Sequence, residues 1–208
     1  MVYGLIIGNE LFHIKRTTNE RKYNEICQVN TESRQINQNF ACDFALKKMY
    51  AKLDFQALNL QDEIIEVDKK YPEILWNKLG KKASQVLQVE ETEFYQDVGK
   101  SFVEFVQNYQ FDRLVSRIGR DYREFVMNLD NVHQFLNQRF SQMKAPSFFV
   151  ESETATGMTL IYRSKRRGYS FYTIGQMQEI SKVYFNLDMS MKMIKREVQF
   201  DTLYVKYE

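Results

Sequence analysis

Met158-Thr159-Leu160-Ile161-Tyr162-Arg163-Ser164-Lys165-Arg166 is the stretch on which the fold turns. Apolar residues before it recur every three or four positions; here the polar side chains of 162, 164 and 166 alternate. An extended strand sends alternate side chains to one face, so these three share a face. The change of period falls at Pro146. Ser147–Glu151 and Met158–Arg166 read as two strands joined by a turn containing Gly157. Downstream, about 171–186 reads as a helix, and 189–194 and 200–207 as two more strands. These runs together predict an antiparallel sheet of about four strands crossed by one helix.

Upstream of Pro146 the chain reads as mostly helical. Pro72 suits a first helical turn and opens a helix through about Ala83. Phe94, Val98, Phe102, Phe105 and Val106 mark a strongly buried helix over 90–109. Further helices are expected over 111–118 and from about Asp121 to about Phe140. Glu63-Ile64-Ile65-Glu66-Val67 looks like a strand, and Phe44, Leu46, Met49 and Leu53 suggest a helix over roughly 42–57. Residues 17–41 are rich in Asn, Gln, Thr, Ser and Arg, and read as a polar insertion or disordered loop. Leu5, Ile6, Leu11, Phe12 and Ile14 predict a short amphipathic helix over 3–16. The class is α+β: an N-terminal helical part packed on a four-stranded antiparallel sheet with a crossing helix, in a single domain over 1–208.

Composition narrows the function. The 16 Phe, 13 Tyr and 9 Met residues suit a core, and also a pocket around a flat apolar ligand. A net charge of +2 gives no argument for nucleic acid, and the one dense basic run is Lys165-Arg166-Arg167. Cys27 and Cys42 form no CxxC, so zinc and a redox pair are not indicated; two lone thiols fit a reducing cytosol. No run approaches the length of a membrane span. There is no Ser/His/Asp set, no metal-spaced carboxylate cluster and no glycine-rich phosphate loop, so an enzyme active site is not expected.

One of the chain's two histidines stands out. In Phe125-Val126-Met127-Asn128-Leu129-Asp130-Asn131-Val132-His133-Gln134-Phe135-Leu136, His133 follows Leu129 by four and precedes Leu136 by three. It therefore lies on the apolar helical face. Such a residue is either a core histidine satisfied by a backbone carbonyl or an axial ligand to a haem iron. The latter needs one neutral imidazole aimed into an apolar slot.

Tyr162, Ser164 and Arg166 offer a phenol, a hydroxyl and a guanidinium in a row. That set suits carboxylates, because arginine binds them bidentately and the hydroxyls add shorter bonds. Haem carries two propionates at one edge. An ordinary polar strand face would show the same residues.

His133, Ala145-Pro146-Ser147-Phe148 and Tyr162-x-Ser164-x-Arg166 occur together and in order, and this combination resembles the haem nitric oxide/oxygen binding family. That family opens soluble guanylate cyclase β-type subunits and also includes bacterial gas sensors. Asn128-Leu129-Asp130-Asn131-Val132-His133 and Tyr162–Gly168 carry most of the match. The basic Arg163-Ser164-Lys165-Arg166-Arg167 form is most similar to invertebrate atypical subunits. The likeness is good from about residue 64 to 208, modest over 1–16 and poor over 17–58.

The resemblance implies haem b as cofactor, with His133 as the iron ligand and Tyr162, Ser164 and Arg166 on the propionates. It implies that Pro146 presses on the macrocycle and that Leu5 or Ile6 touches the haem from a first helix. It places Tyr172, three residues before Gly175, in a distal gas pocket, where a phenol can hydrogen-bond oxygen; helical phase leaves Phe171 as the alternative inward residue. The implied function is sensing of nitric oxide, oxygen or both, as the regulatory part of a cytoplasmic guanylate cyclase that controls cGMP synthesis. The implied partner is another cyclase subunit or signalling domain, with no nucleic acid and no membrane. A haem-free interaction scaffold of the same fold is the alternative.

Overall fold

The computed structural model describes residues 2–7, 10–15, 73–108, 112–139 and 145–208, with backbone alone for the first two stretches and without some side chains inside the helices. The polar insertion at 17–41, the helix expected over 42–57, the strand at 63–67 and Pro72 lie outside these residues.

The N-terminal segment departs from expectation. It is a hairpin of β1 (Val2–Ile7) and β2 (Glu10–Lys15), not an amphipathic helix. The register runs from Val2 opposite Lys15 to Ile7 opposite Glu10. Val2, Ile6, Ile7 and Ile14 are β-branched and favour a strand. Gly8-Asn9 leaves two residues between the strands, a spacing that favours a tight hairpin. Leu5 and Ile6 therefore sit on β1 opposite Phe12 and Leu11, and no first helix carries them toward a ligand.

Four helices follow in sequence: α1 (Glu73–Leu87), α2 (Glu91–Asn108), α3 (Asp112–Ile118) and α4 (Tyr122–Arg139). All four agree with the sequence periodicity to within a few residues. Asp121 caps α4, accepting from the Glu124 backbone N–H at 2.8 Å, and the Glu124 carboxylate reaches back to the Arg120 N–H, also at 2.8 Å.

β3 (Ser147–Glu153), β4 (Met158–Ser164), α5 (Ser170–Phe185), β5 (Met193–Gln199) and β6 (Thr202–Tyr207) complete the fold. The sheet order is β3-β4-β6-β5, antiparallel throughout. The last two strands are shifted from expectation. Asn186 ends α5 in the left-handed region. Met189 and Met191 then pack on the core without joining the sheet, and β5 starts only at Met193. Phe200, at φ 55°, and Asp201 form a two-residue turn where the sequence pattern predicts strand.

Packing produces two apolar clusters. The larger joins Val103 and Val106 of α2, Phe125 and Val126 of α4, Phe148, Leu160, Tyr162, Leu203, Val205 and Tyr207 of the sheet, and Ile174, Met177 and Ile180 of α5. The smaller joins Trp76, Leu79 and Ala83 of α1, Phe94, Tyr95 and Val98 of α2, and Tyr169 and Tyr172 at the start of α5. Phe171 packs against both. Helix α5 therefore serves both clusters, which accounts for buried residues around much of its circumference. Among the described residues no helix is long and apolar enough to cross a membrane.

Candidate functional site

His133 emerges from α4 into the larger cluster and is 6% exposed. Its ring lies 5.7 Å from that of Phe148, the second residue of β3. Nδ1 is buried and has no hydrogen-bond partner among the described residues. Burial pushes the imidazole from its usual 6.5 down to about 4, against smaller upward pulls from the Pro146 carbonyl and the Asp130 carboxylate. The ring is neutral at pH 7 and keeps a lone pair. Among the described residues no group of three or more His, Cys, Asp or Glu could hold a metal ion, so a metal at His133 needs most of its ligands from a prosthetic group.

Asp130, one turn earlier on α4, fixes where this imidazole meets the sheet. Its Oδ1 accepts from the Phe148 backbone N–H at 3.2 Å, and its Oδ2 from Gln134 Nε2 at 3.2 Å. Pro146 is buried immediately before β3. The proline and the histidine are thus brought together, the Pro146 carbonyl acting on the imidazole. Asp130 does not stand out in the sequence as a site residue; its place three residues before His133 is the available signal.

Tyr162 is 1% exposed at the middle of the sheet. It pairs with Phe148 on one side and Val205 on the other, and its ring lies 5.3 Å from Phe148 and 6.4 Å from Tyr207. Burial raises its phenol, while hydrogen bonds with the Ser164 and Thr173 hydroxyls and the nearby Arg166 charge favour the anion. Ser164 points to the same face and is buried.

Arg166 does not continue this row, because β4 ends at Ser164. The chain turns there, with the Arg166 N–H donating to Ser164 Oγ at 3.0 Å, and Arg166 is half-buried in the turn. Tyr162, Ser164 and Arg166 still cluster, but through a turn rather than strand alternation.

That turn is clamped from α1. Glu73 Oε1 accepts from the backbone N–H groups of Arg167 and Gly168, each at 2.5 Å, and Trp76 Nε1 donates to the Gly168 carbonyl at 3.1 Å. A Cβ on Gly168 would come within 2.8 Å of the Trp76 ring, so glycine is needed for this approach. No local pattern announces a contact 94 residues apart.

Tyr172 is buried, 6% exposed, and is not a surface residue. Its ring sits edge-on to Trp76 at 6.0 Å and to Tyr169 at 5.9 Å, and its hydroxyl accepts from Gln176 Nε2 at 3.3 Å. It belongs to the smaller cluster, whereas His133 contacts Phe148 in the larger. Phe171 is half-buried between the two.

The donor set fits a haem. A buried neutral imidazole with an orphaned nitrogen suits an axial ligand, and the buried hydroxyls beside an arginine suit carboxylates.

The family model described as Haem-NO-binding matches residues 44–193. Soluble guanylate cyclase gcy-31 of Caenorhabditis elegans is 30% identical over 196 residues, covering 94% of this chain and 24% of the relative. Soluble guanylate cyclase gcy-33 of the same organism is 35% identical over 99 residues, 48% of this chain and 10% of the relative. The chain thus spans a quarter or less of these relatives. Among solved structures, an oxygen-binding H-NOX domain related to soluble guanylate cyclases, in its oxygen complex, superposes with a TM-score of 0.61 at 18% identity, covering 81% of this chain and 90% of that one. A mutant Cs H-NOX domain carrying 4-cyano-L-phenylalanine gives 0.65 at 18% identity, over 81% and 92%. At that identity the likeness is one of fold.

Proposed function

Because the chain belongs to the Haem-NO-binding family, we propose that it is a haem-based sensor of nitric oxide, oxygen or both. On this reading it is the regulatory part of a cytosolic guanylate cyclase that controls cGMP synthesis with a partner subunit or signalling domain. The observation that carries the reading is His133: a buried, neutral imidazole whose Nδ1 has no partner among the described residues. The names of the guanylate cyclase relatives support the cyclase assignment.

When bound, haem b supplies an iron with a position open to a diatomic gas. The chain's own residues do the rest. His133 would offer its free lone pair to the iron, and Phe148 would exclude water beside it. Tyr162 and Ser164, with Arg166 in the following turn, would hold the carboxylates. Pro146, buried just before β3, would pack against the macrocycle. Asp130 ties α4 to the Phe148 amide, so a displacement of His133 is felt by the helix and the sheet together. A sensor requires such a two-state element, biased by its ligand. If oxygen binds, Tyr172 would tune its affinity through its hydroxyl, with Phe171 as the alternative inward residue; Tyr172→Phe with unchanged oxygen affinity would remove Tyr172 from that role.

The test is the ferrous spectrum of haem-reconstituted protein without oxygen, for wild type and His133→Gly. A five-coordinate histidine-type band, lost in the variant and restored by free imidazole, is expected. A folded wild type that takes up no stoichiometric haem overturns the sensor reading and favours a haem-free scaffold. Nitric oxide and oxygen, admitted to separate samples, then show which gas binds.

A further inference from the structure

The hydroxyl of Ser170 takes no part in the contacts proposed so far. Ser170 is the first residue of α5, is 3% exposed, and its Oγ is buried with no hydrogen-bond partner among the described residues. A buried orphan hydroxyl costs stability unless a partner arrives, so it marks a place where a polar atom belongs.

Its surroundings say which kind. The Ser170 carbonyl is pinned by Tyr207, whose hydroxyl donates to it at 2.8 Å from β6. The Tyr207 ring lies 6.4 Å from that of Tyr162, and Thr173, one turn along α5, hydrogen-bonds the Tyr162 phenol. Ser170 thus stands in the same hydroxyl-lined region as Tyr162, four residues after Arg166. Tyr169, the N-cap of α5, makes no side-chain cap, so the positive end of this 16-residue helix is not neutralised by its own capping residue. The Glu73 carboxylate takes the Arg167 and Gly168 amides just before this helix but does not reach the Ser170 hydroxyl, so a buried O–H without a partner among the described residues and a nearby arginine still suit an anion that accepts hydrogen bonds.

We propose that Ser170 is a further haem-binding residue, donating its hydroxyl to a propionate beside Tyr162, Ser164 and Arg166, with Tyr207 as the positioning residue that holds it there. This rests on the haem-sensor reading.

The proposal predicts opposite signs for two measurements on Ser170→Ala. Haem release to an excess of an acceptor apoprotein should be about tenfold faster than from wild type, the effect of one charge-assisted bond. Thermal unfolding of the haem-free variant should occur at the wild-type temperature or above, because the variant lacks an orphan buried hydroxyl. With iron protoporphyrin dimethyl ester, which carries no carboxylate, variant and wild type should release at the same rate. Ser170→Cys, close in shape with a weaker donor, should fall between.

If the wild type binds haem and Ser170→Ala releases it at the wild-type rate, Ser170 is not a ligand. The same conclusion follows if the variant speeds release of haem and ester equally, or lowers the unfolding temperature of the haem-free protein; Ser170 would then serve packing alone. If the wild type binds no haem at all, the sensor reading itself fails, and that outcome is distinct from the others.

Discussion

His133 shows how one residue's surroundings set its chemistry. Unfolded, its imidazole titrates near 6.5; folded, burial holds it near 4. Between those values the unfolded chain binds the extra proton and the folded chain does not. Stability of the haem-free protein is therefore complete above about pH 6.5 and is lost as pH falls toward 4, by about 3 kcal/mol in all. Urea midpoints of haem-free protein at pH 7 and pH 5 should show the loss, and His133→Leu should flatten that part of the profile. An unchanged slope in the variant would show that other groups cause it. His133 is legible in the sequence because its spacing from Leu129 and Leu136 puts it on the apolar face of α4. The same logic finds Tyr162 and Ser164, whose burial follows strand alternation. It misplaces Arg166, because nothing in Ser164-Lys165-Arg166 shows that the Ser164 hydroxyl bonds back to the Arg166 amide and ends the strand. Asp130 and Tyr207 escape it because their partners, the Phe148 amide and the Ser170 carbonyl, are backbone groups 18 and 37 residues away.

Among the described elements, α2 and α5 cross closely. Each helix brings a glycine to the crossing. A Cβ on Gly99 would overlap the Tyr172 carbonyl oxygen, and one on Gly175 would overlap that of Gln96. Both obstacles are main chain, which no rotamer change can move aside. Gly99→Ala and Gly175→Ala should each destabilise by about 2–3 kcal/mol, despite the better helix propensity of alanine. Chemical denaturation reads this directly, and a gain in stability in either variant would refute the crossing. Sequence periodicity locates both helices well but cannot show that they meet through these glycines. It fails outright for the N-terminal hairpin, where Leu5, Ile6, Leu11 and Phe12 satisfy a helical spacing while β-branched residues on either side of Gly8-Asn9 satisfy a strand pairing. A short apolar run fits either period, and the two-residue gap is the discriminating feature.

At the scale of the whole molecule, helix α1 reaches the sheet side through Glu73 and Trp76, which grip the turn between β4 and α5. That turn carries Arg166 and leads to Ser170. Glu73→Ala should cost about 1–2 kcal/mol and speed hydrogen exchange at the Arg167 and Gly168 amides, with little effect on amides in β6. Equal exchange in variant and wild type would show that the carboxylate does not hold the turn. Trp76 is also the chain's single tryptophan, stacked on Tyr169 at 5.0 Å with its indole N–H bonded to Gly168. One tryptophan thus stands in the smaller apolar cluster, against the turn between β4 and α5. Its emission colour reports whether that contact is closed or wetted, and any absorbing pigment lodged nearby would dim it, so opening of the turn and arrival of the pigment can be followed by light without attaching a label.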